Sequence, residues 1–413
     1  MRCPRWHRID RCRACGSEAL DQVFSFGDTP ISDRLASAPN NLEAAPLIPL
    51  ELVYCGNCCL LQLSVSVAPD CLYDAEYPYF SSVSPGLSEH FRQLANTVIA
   101  EAGIRRGSLV VEAASNDGCL LRHFKAAGAD VQGFDPATGP ALRAIERGLP
   151  TEMAFFGLDT ARSFVATRGQ ADLFLATNVL AHVHELADFA EAIASVLSAD
   201  GLAVIEVPYL ADLVEKREFD TVYHQHLCYF SVTSLLNLFA RHDLTIRKSQ
   251  RVAAQGGSLR LFVVHGETPG DDVRALLRQE QSSGVHRKAF ADRIGVHARE
   301  VRDELSCLLA RLRSEGRKVA GYGAAAKATS LLSWCGFDST SISIVGDLNP
   351  VKHGKYMPGT DIEIVSPEAL LASAPDFIVV FAWNLADEIM AQLSAHAESG
   401  GRFIIPIPEL RIV

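Results

Sequence analysis

Two cysteine pairs, Cys12-Arg-Ala-Cys15 and Cys55-Gly-Asn-Cys58, constrain the N-terminal fold of this chain more than any other feature. Each pair sets two thiolates one tight turn apart, and two such knuckles make the four-sulfur tetrahedron that Zn²⁺ prefers. The interval from Cys15 to Cys55 is longer than in the commonest four-cysteine ribbon, so the knuckles are expected on separate hairpins. Gly16 follows the first pair and Gly56 interrupts the second, where a knuckle needs a backbone free to take φ > 0. Redox-active or merely buried cysteines are the competing reading. Four protein thiolates close the coordination sphere, so a metal held this way is structural, and the chemistry must lie further along.

A chain of 413 residues is too long for one core and implies two or three domains. The net charge of −11 and the lack of a basic stripe argue against nucleic acid as a partner. Eleven cysteines, four of them in metal spacing, fit a reducing compartment better than a disulfide framework. The N-terminal residues lack the apolar run of a signal peptide, and no stretch reads as a membrane span. A soluble, cytoplasmic protein with no membrane partner is expected.

The rest of the chain reads as α/β. Leu109–Glu112, Val131–Asp135, Ala171–Ala176 and Gly201–Glu206 are apolar runs at βαβ spacing, the pattern of buried parallel strands. A helical pattern over Gly86–Ala102 precedes them. Phe290, Ile294, Val301, Leu305, Leu308 and Leu312 recur every three to four residues and predict one long amphipathic connecting helix. A second βαβ series follows: Lys318–Tyr322, Ser341–Val345, Phe377–Phe381 and Arg402–Ile405. The expected organisation is a zinc-binding region over 1–72, a Rossmann-like methyltransferase domain over 73–268, a helical connector over 269–316 and a second Rossmann-like domain over 317–413.

The turn Val110-Val-Glu-Ala-Ala-Ser-Asn-Asp-Gly118 leaves the first strand of the first series for a helix, where strand ends open a crevice and a helix start offers free N–H groups. Asp135 ends the next strand, placed to accept both hydroxyls of a ribose. The Gly-x-Gly-x-x-Gly fingerprint is missing and only Gly118 sits in the turn, so no pyrophosphate is cradled; S-adenosylmethionine fits better than NAD. Glu112 is a candidate for orienting the cationic methionine end. A plain doubly wound domain whose acids cap helices is the alternative.

The ordered motifs resemble one family. Besides the four cysteines and the Val111–Gly118 turn, they are Tyr77-Pro-Tyr79-Phe-Ser-Ser, Phe155-Phe-Gly157, Asn178-Val-Leu-Ala-His-Val183, Tyr223-His-Gln-His-Leu-Cys-Tyr-Phe-Ser231, Gly256-Gly-Ser-Leu-Arg260, Gly321-Tyr-Gly-Ala-Ala-Ala-Lys327, Asp347-Leu-Asn-Pro350, Met357-Pro-Gly-Thr360 and Ala382-Trp-Asn384. Together they span essentially the whole chain. The chain is similar to the zinc-containing, S-adenosylmethionine-dependent C-methyltransferases that act on nucleotide-linked 4-keto-deoxysugars in antibiotic biosynthesis.

The resemblance implies methylation at carbon 3 of a thymidine-diphospho-4-keto-2,6-dideoxyhexose. The 4-ketone acidifies the C3 proton, a base removes it, and the enolate attacks the sulfonium methyl. It implies His226 as the base, Tyr223 and His182 near the keto group, Tyr77 and Tyr79 facing the sugar, and Gln225 beside the base. For the cofactor it implies Glu112, Ala114, Asn116, Asp117, Gly118, Asp135, Pro136 and Asn178. For the nucleotide-sugar it implies Ser81, His224, Arg260, Lys327, Asp347, Asn349, Trp383 and Asn384. Each residue taken singly also reads as an ordinary packed aromatic or core histidine.

Three departures from the family pattern stand out. Gln225 replaces a glutamate, Gln255 replaces a histidine, and Ala113-Ala114 replaces a glycine-bearing loop start. The first is expected to make His226 a weaker base, since a neutral amide does not stabilise a histidinium. The alternatives are a site retuned for another deoxysugar, an added or substituted NADPH-dependent ketoreduction with Tyr79 as proton donor, or loss of methylation altogether.

Overall fold

The computed structural model describes residues 5–39, 46–73, 79–266 and 268–413. The N-terminal region is an antiparallel sheet whose strands run in the spatial order Cys228–Tyr229, Leu61–Leu63, Leu47–Cys55 and Leu20–Pro30. A short pair, Trp6–Arg8 with Val65–Val67, lies beside it. The edge strand Cys228–Tyr229 is borrowed from far along the chain, which ties this region to whatever precedes residue 228.

The central sheet has seven strands in the order Leu244–Val252, Ser258–His265, Leu197–Pro208, Ala171–Thr177, Leu109–Ala113, Asp130–Phe134 and Thr151–Glu152. The five from Leu197–Pro208 onward are mutually parallel, and the other two pair antiparallel. The inner strands Leu109–Ala113 and Ala171–Thr177, and the Leu202–Val207 stretch beside them, are near-continuous runs of apolar residues buried on both faces, as a helix-covered parallel sheet demands. Chain order reverses between Leu109–Ala113 and Ala171–Thr177, so the crevice outside those two strand ends is the switch point where doubly wound folds bind ligands. The helix Pro85–Glu101 begins at Ser84, whose side chain accepts from the Leu87 N–H while Pro85 fills the first turn.

The connector opens with the helix Asp271–Ser283; beyond it, where periodicity predicts one long helix, the chain forms the short Lys288–Ala291 and then the long Arg293–Ser314. The first piece ends at Gly284 in the left-handed conformation, a stop that Gly adopts without steric cost. Its Glu280 is fully buried and accepts from the Val232 and Thr233 N–H groups, the Thr233 hydroxyl and the Tyr209 hydroxyl. The apolar stripe Ile294, Val301, Leu305, Leu308 and Leu312 is buried as expected.

The last sheet runs Glu363–Val365, Ile344–Gly346, Val319–Tyr322, Phe377–Val380, Arg402–Ile405 and Arg411–Ile412, parallel except for the final strand. Its switch point lies between Val319–Tyr322 and Phe377–Val380, and it faces the cavity described next. No helix among the described residues is long and apolar enough to cross a membrane.

Candidate active site

The four cysteines converge as expected. Their sulfurs all lie within 4.8 Å of one another, with Cys12 and Cys58 at 3.5 Å and Cys15 and Cys55 at 3.6 Å. A tetrahedral zinc with bonds of about 2.3 Å places its sulfurs about 3.8 Å apart, so the set fits that ion. One detail corrects the sequence reading. Gly16 has φ +69°, but the left-handed residue of the second knuckle is Cys59, at φ +63°, not Gly56. Both are the residue after the second cysteine of a pair, where the backbone doubles back so that Gly16 N–H meets the Cys12 carbonyl and Cys59 N–H the Cys55 carbonyl.

A cavity of about 610 Å³ opens at the central switch point and extends to the C-terminal sheet. At one end it is lined by Glu112, Ala114, Asn116, Asp135, Pro136 and Asn178. Ala114, Asn116 and Asn178 hold φ of +50°, +52° and +57°, three non-glycine residues in a conformation that L-residues avoid. The Asp135 carboxylate fixes this shape by accepting from the Asn116 and Ala137 N–H groups, each at 2.8 Å. Burial raises the Asp135 carboxyl to about 6 and the Glu112 carboxyl well above the usual carboxylate range. Glu112 Oε2, Ser115 Oγ and Asn178 Oδ1, on residues of the cavity wall, are buried with no hydrogen-bond partner among the described residues. Buried polar atoms are nearly always satisfied, so three orphans around one crevice are what a site for an ammonium and ribose hydroxyls looks like. S-Adenosylmethionine fits them.

Two residues expected at the cofactor sit behind the wall instead. Asp117 is fully buried and engages Arg147 at 3.1 Å and the Ser82 hydroxyl. Gly118 faces Leu149, whose Cδ1 lies 2.1 Å from where a Cβ would stand, so only glycine fits there. Asn116 lines the cavity, yet its side chain grips the preceding segment: Oδ1 accepts from Ser81 N–H at 2.8 Å and Nδ2 donates to the Tyr79 carbonyl at 3.2 Å.

The reactive candidates meet further along. His226 Nδ1 lies 2.9 Å from the Thr221 carbonyl, to which it must donate, so Nε2 is the bare nitrogen and accepts from the Tyr223 hydroxyl at 2.7 Å. His182 stacks edge-on against His226, with ring centroids 4.7 Å apart, and its Nδ1 is 3.0 Å from the Tyr73 hydroxyl. Burial lowers His182 to about 4 and His226 well below the usual imidazole range, while it raises Tyr223. Both imidazoles are therefore neutral near pH 7. Tyr79 and Ser81 also line the cavity. Tyr77 and the Gln255 side chain lie outside the described residues.

Gln225 lines the cavity next to His226. Its amide nitrogen donates to the Ser32 carbonyl of the zinc region at 2.6 Å, and burial comes first among the causes that lower His226. His224 is 1 % exposed, lies 3.3 Å from the Pro49 carbonyl and is not on the cavity wall. Arg260 pairs with Glu206 at 2.6 Å across adjacent strands, and Glu206 also meets His90, so this arginine is an internal ion pair.

From the C-terminal sheet only Lys327 of the expected residues reaches the wall. It lies 4.3 Å over the Trp383 ring and donates to Asn384 Oδ1 at 2.7 Å. Trp383 donates to Asp220 at 2.8 Å. Asp347 caps the Ala324 and Asn349 N–H groups, and Asn349 Oδ1 in turn accepts from Val351 N–H. These four support the wall without forming it. Sequence reasoning missed Asp33, Tyr73, Glu218 and Lys352, all on the wall. Tyr73 stood at the start of the aromatic stretch, a signal that was there to use. Asp33, Glu218 and Lys352 carry no local signal.

Three family models match in sequence: "Putative zinc binding domain" over residues 12–73, "Methyltransferase domain" over 87–249 and "C-methyltransferase C-terminal domain" over 253–408. The chain is 35 % identical over 410 residues to the C-methyltransferase NovU of Streptomyces niveus, covering 98 % of this chain and 97 % of that one. Among solved structures, the magnesium protoporphyrin IX methyltransferase of Synechocystis PCC 6803 with bound SAM is 15 % identical at TM-score 0.34, over 44 % of this chain and 80 % of its own. An S-adenosylmethionine-dependent methyltransferase from Clostridium acetobutylicum is 9 % identical at TM-score 0.34, over 43 % of this chain and 92 % of its own.

Proposed function

This chain belongs to the zinc-binding C-methyltransferase family and is an S-adenosylmethionine-dependent C-methyltransferase, and from that premise we propose that it methylates carbon 3 of a thymidine-diphospho-4-keto-2,6-dideoxyhexose through an enolate. The observation that carries the reading is the Tyr223–His226 hydrogen bond in the same cavity as the Glu112–Asn116 turn and Asp135. When bound, S-adenosylmethionine supplies an electrophilic methyl group; the chain's own residues have to generate and hold the carbon nucleophile.

His226 Nε2 is the base. The Thr221 carbonyl holds the proton on Nδ1 and fixes the ring, so the C3 proton moves to Nε2 alone. Without substrate, the Tyr223 hydroxyl covers that nitrogen. A 4-keto oxygen entering beside Tyr223 offers the hydroxyl a second acceptor, one that outcompetes Nε2 as enolate charge develops on it, so the hydroxyl turns to the oxygen and Nε2 is free for the proton. His182, held neutral and tied to Tyr73, closes the other side. Lys327 supplies positive charge for a diphosphate.

The test incubates the zinc-loaded protein with the keto-sugar nucleotide, methyl-labelled cofactor and NADPH. A C3-methylated product with no NADPH consumption is expected; NADPH oxidation without methyl transfer overturns the reading. His226→Ala should lower methyl transfer by about 10²- to 10⁴-fold. It should also stop exchange of the C3 proton with deuterated solvent and leave the affinity for S-adenosylhomocysteine intact. Unchanged exchange removes His226 from the base role.

A further inference from the structure

Glu218 stands out at the substrate end of the cavity. The residue is 3 % exposed, lines the wall, and its Oε1 is buried with no hydrogen-bond partner among the described residues. A side chain this buried is normally satisfied, and a carboxyl on a cavity wall with one oxygen left orphaned is an acceptor group waiting for a donor that arrives with the ligand.

The surroundings hold the carboxyl in place. A Cβ at Gly256 would stand 2.7 Å from Glu218 Oε1 and 2.8 Å from Oε2, so the glycine run there leaves room for the acid. The chain turns directly after it: Thr221 Oγ donates to the Glu218 backbone carbonyl at 2.7 Å. The next residues carry Tyr223 and His226, so Glu218 and the reacting pair are parts of one rigid segment. Lys327 and Lys216 act on the carboxyl electrostatically, but neither forms an ion pair with it among the described residues.

We propose that Glu218 is a substrate anchor: its carboxyl accepts a hydrogen bond from an N–H or O–H of the nucleotide-sugar and sets the sugar's depth against Tyr223 and His226. This rests on the reading of the site as a thymidine-diphospho-sugar pocket. The donor is either on the nucleoside, as the imide N–H of the base or the deoxyribose hydroxyl, or a hydroxyl of the hexose. The rival role is indirect, with Glu218 merely keeping the buried Lys327 ammonium charged.

Calorimetry on the full zinc-loaded chain, with thymidine diphosphate, the keto-sugar nucleotide and S-adenosylhomocysteine as probes, separates these cases. Measured at pH 8, above the value of about 7 to which burial raises this carboxyl, Glu218→Ala should weaken the keto-sugar nucleotide by about 10- to 100-fold, the worth of a hydrogen bond to a charged group. Glu218→Gln, which keeps an acceptor oxygen, should recover most of that. S-Adenosylhomocysteine should bind both variants as it binds wild type, showing that they fold. An equal loss for thymidine diphosphate places the donor on the nucleoside; a loss confined to the sugar nucleotide places it on the hexose. In a Lys327→Ala background the Glu218→Ala loss should persist, and its disappearance there overturns the anchor in favour of the indirect role. Wild-type affinities in Glu218→Ala overturn the anchor alone. Wild-type protein that binds neither thymidine probe overturns the pocket reading and the anchor with it.

Discussion

The two ends of the cavity are built differently. At the cofactor end, one strand-to-helix turn and its neighbouring strand ends supply the wall: Glu112 to Asn116, Asp135 and Asn178. At the substrate end the wall is assembled from distant segments: Asp33 and Tyr73 from the zinc region, His182 and Glu218 to His226 from the central domain, Lys327 and Lys352 from the last sheet. The first is a property of one local fold. The second exists only when three parts of the chain are docked.

Metal removal should separate the two ends, with the largest effect of all. The zinc region fixes the Leu61–Leu63 strand that pairs with Cys228–Tyr229, and Ser32 anchors Gln225 next to the base. Loss of a structural zinc unfolds small metal-held elements outright. Cys55→Ser, or chelation, should therefore cost more than about 100-fold in methyl transfer. Binding of S-adenosylhomocysteine should stay within about threefold, because no cofactor-end residue comes from that region. Measured side by side, a joint collapse of both would show that the ends are not independent. A variant that keeps its metal and its activity would contradict the ligand assignment.

That contrast also explains what could be read beforehand. The parallel strands, the cysteine cluster and the Glu112–Asp135 crevice follow from residues close in sequence, so period and spacing expose them. The docking does not. Nothing in Cys228 announces an edge strand of another sheet, and nothing in Asp33 or Lys352 announces a cavity wall. Arg260 shows the converse error. The resemblance placed it at the nucleotide-sugar, but the register that sets Glu206 opposite it across two strands was invisible in sequence.

A pH experiment probes the cofactor end on a smaller scale. Burial raises Asp135 to about 6, and ribose hydroxyls need its ionised form as acceptor. Ionisation is complete above that value and lost below it, so cofactor affinity should fall as pH drops through about 6, by roughly tenfold at pH 5 if the protonated form does not bind. Asp135→Asn should bind weakly with a flat profile. His226 itself should add no limb near 6.5 to methyl transfer, because it stays neutral until lower pH, whereas the Glu218 carboxyl, which burial raises to about 7, is the group expected to titrate there. A limb there that vanishes in His226→Ala would place that imidazole in a wetter setting than the structure gives it.

The smallest effect tests whether residue identity or surroundings shape the cofactor turn. Ala114 sits at φ +50°, where an L-residue is strained by roughly 1–2 kcal/mol. Ala114→Gly removes that strain but loosens the unfolded chain, an opposing term of about 0.4–1 kcal/mol. The two nearly cancel, so the melting temperature should rise by only a few degrees at most. Cofactor affinity should not move, because Ser115 N–H to the Phe134 carbonyl and Asn116 N–H to Asp135 already hold the turn from outside. A large gain in affinity would mean that the alanine distorts the crevice, and that this end, like the other, depends on more than its own strand and helix.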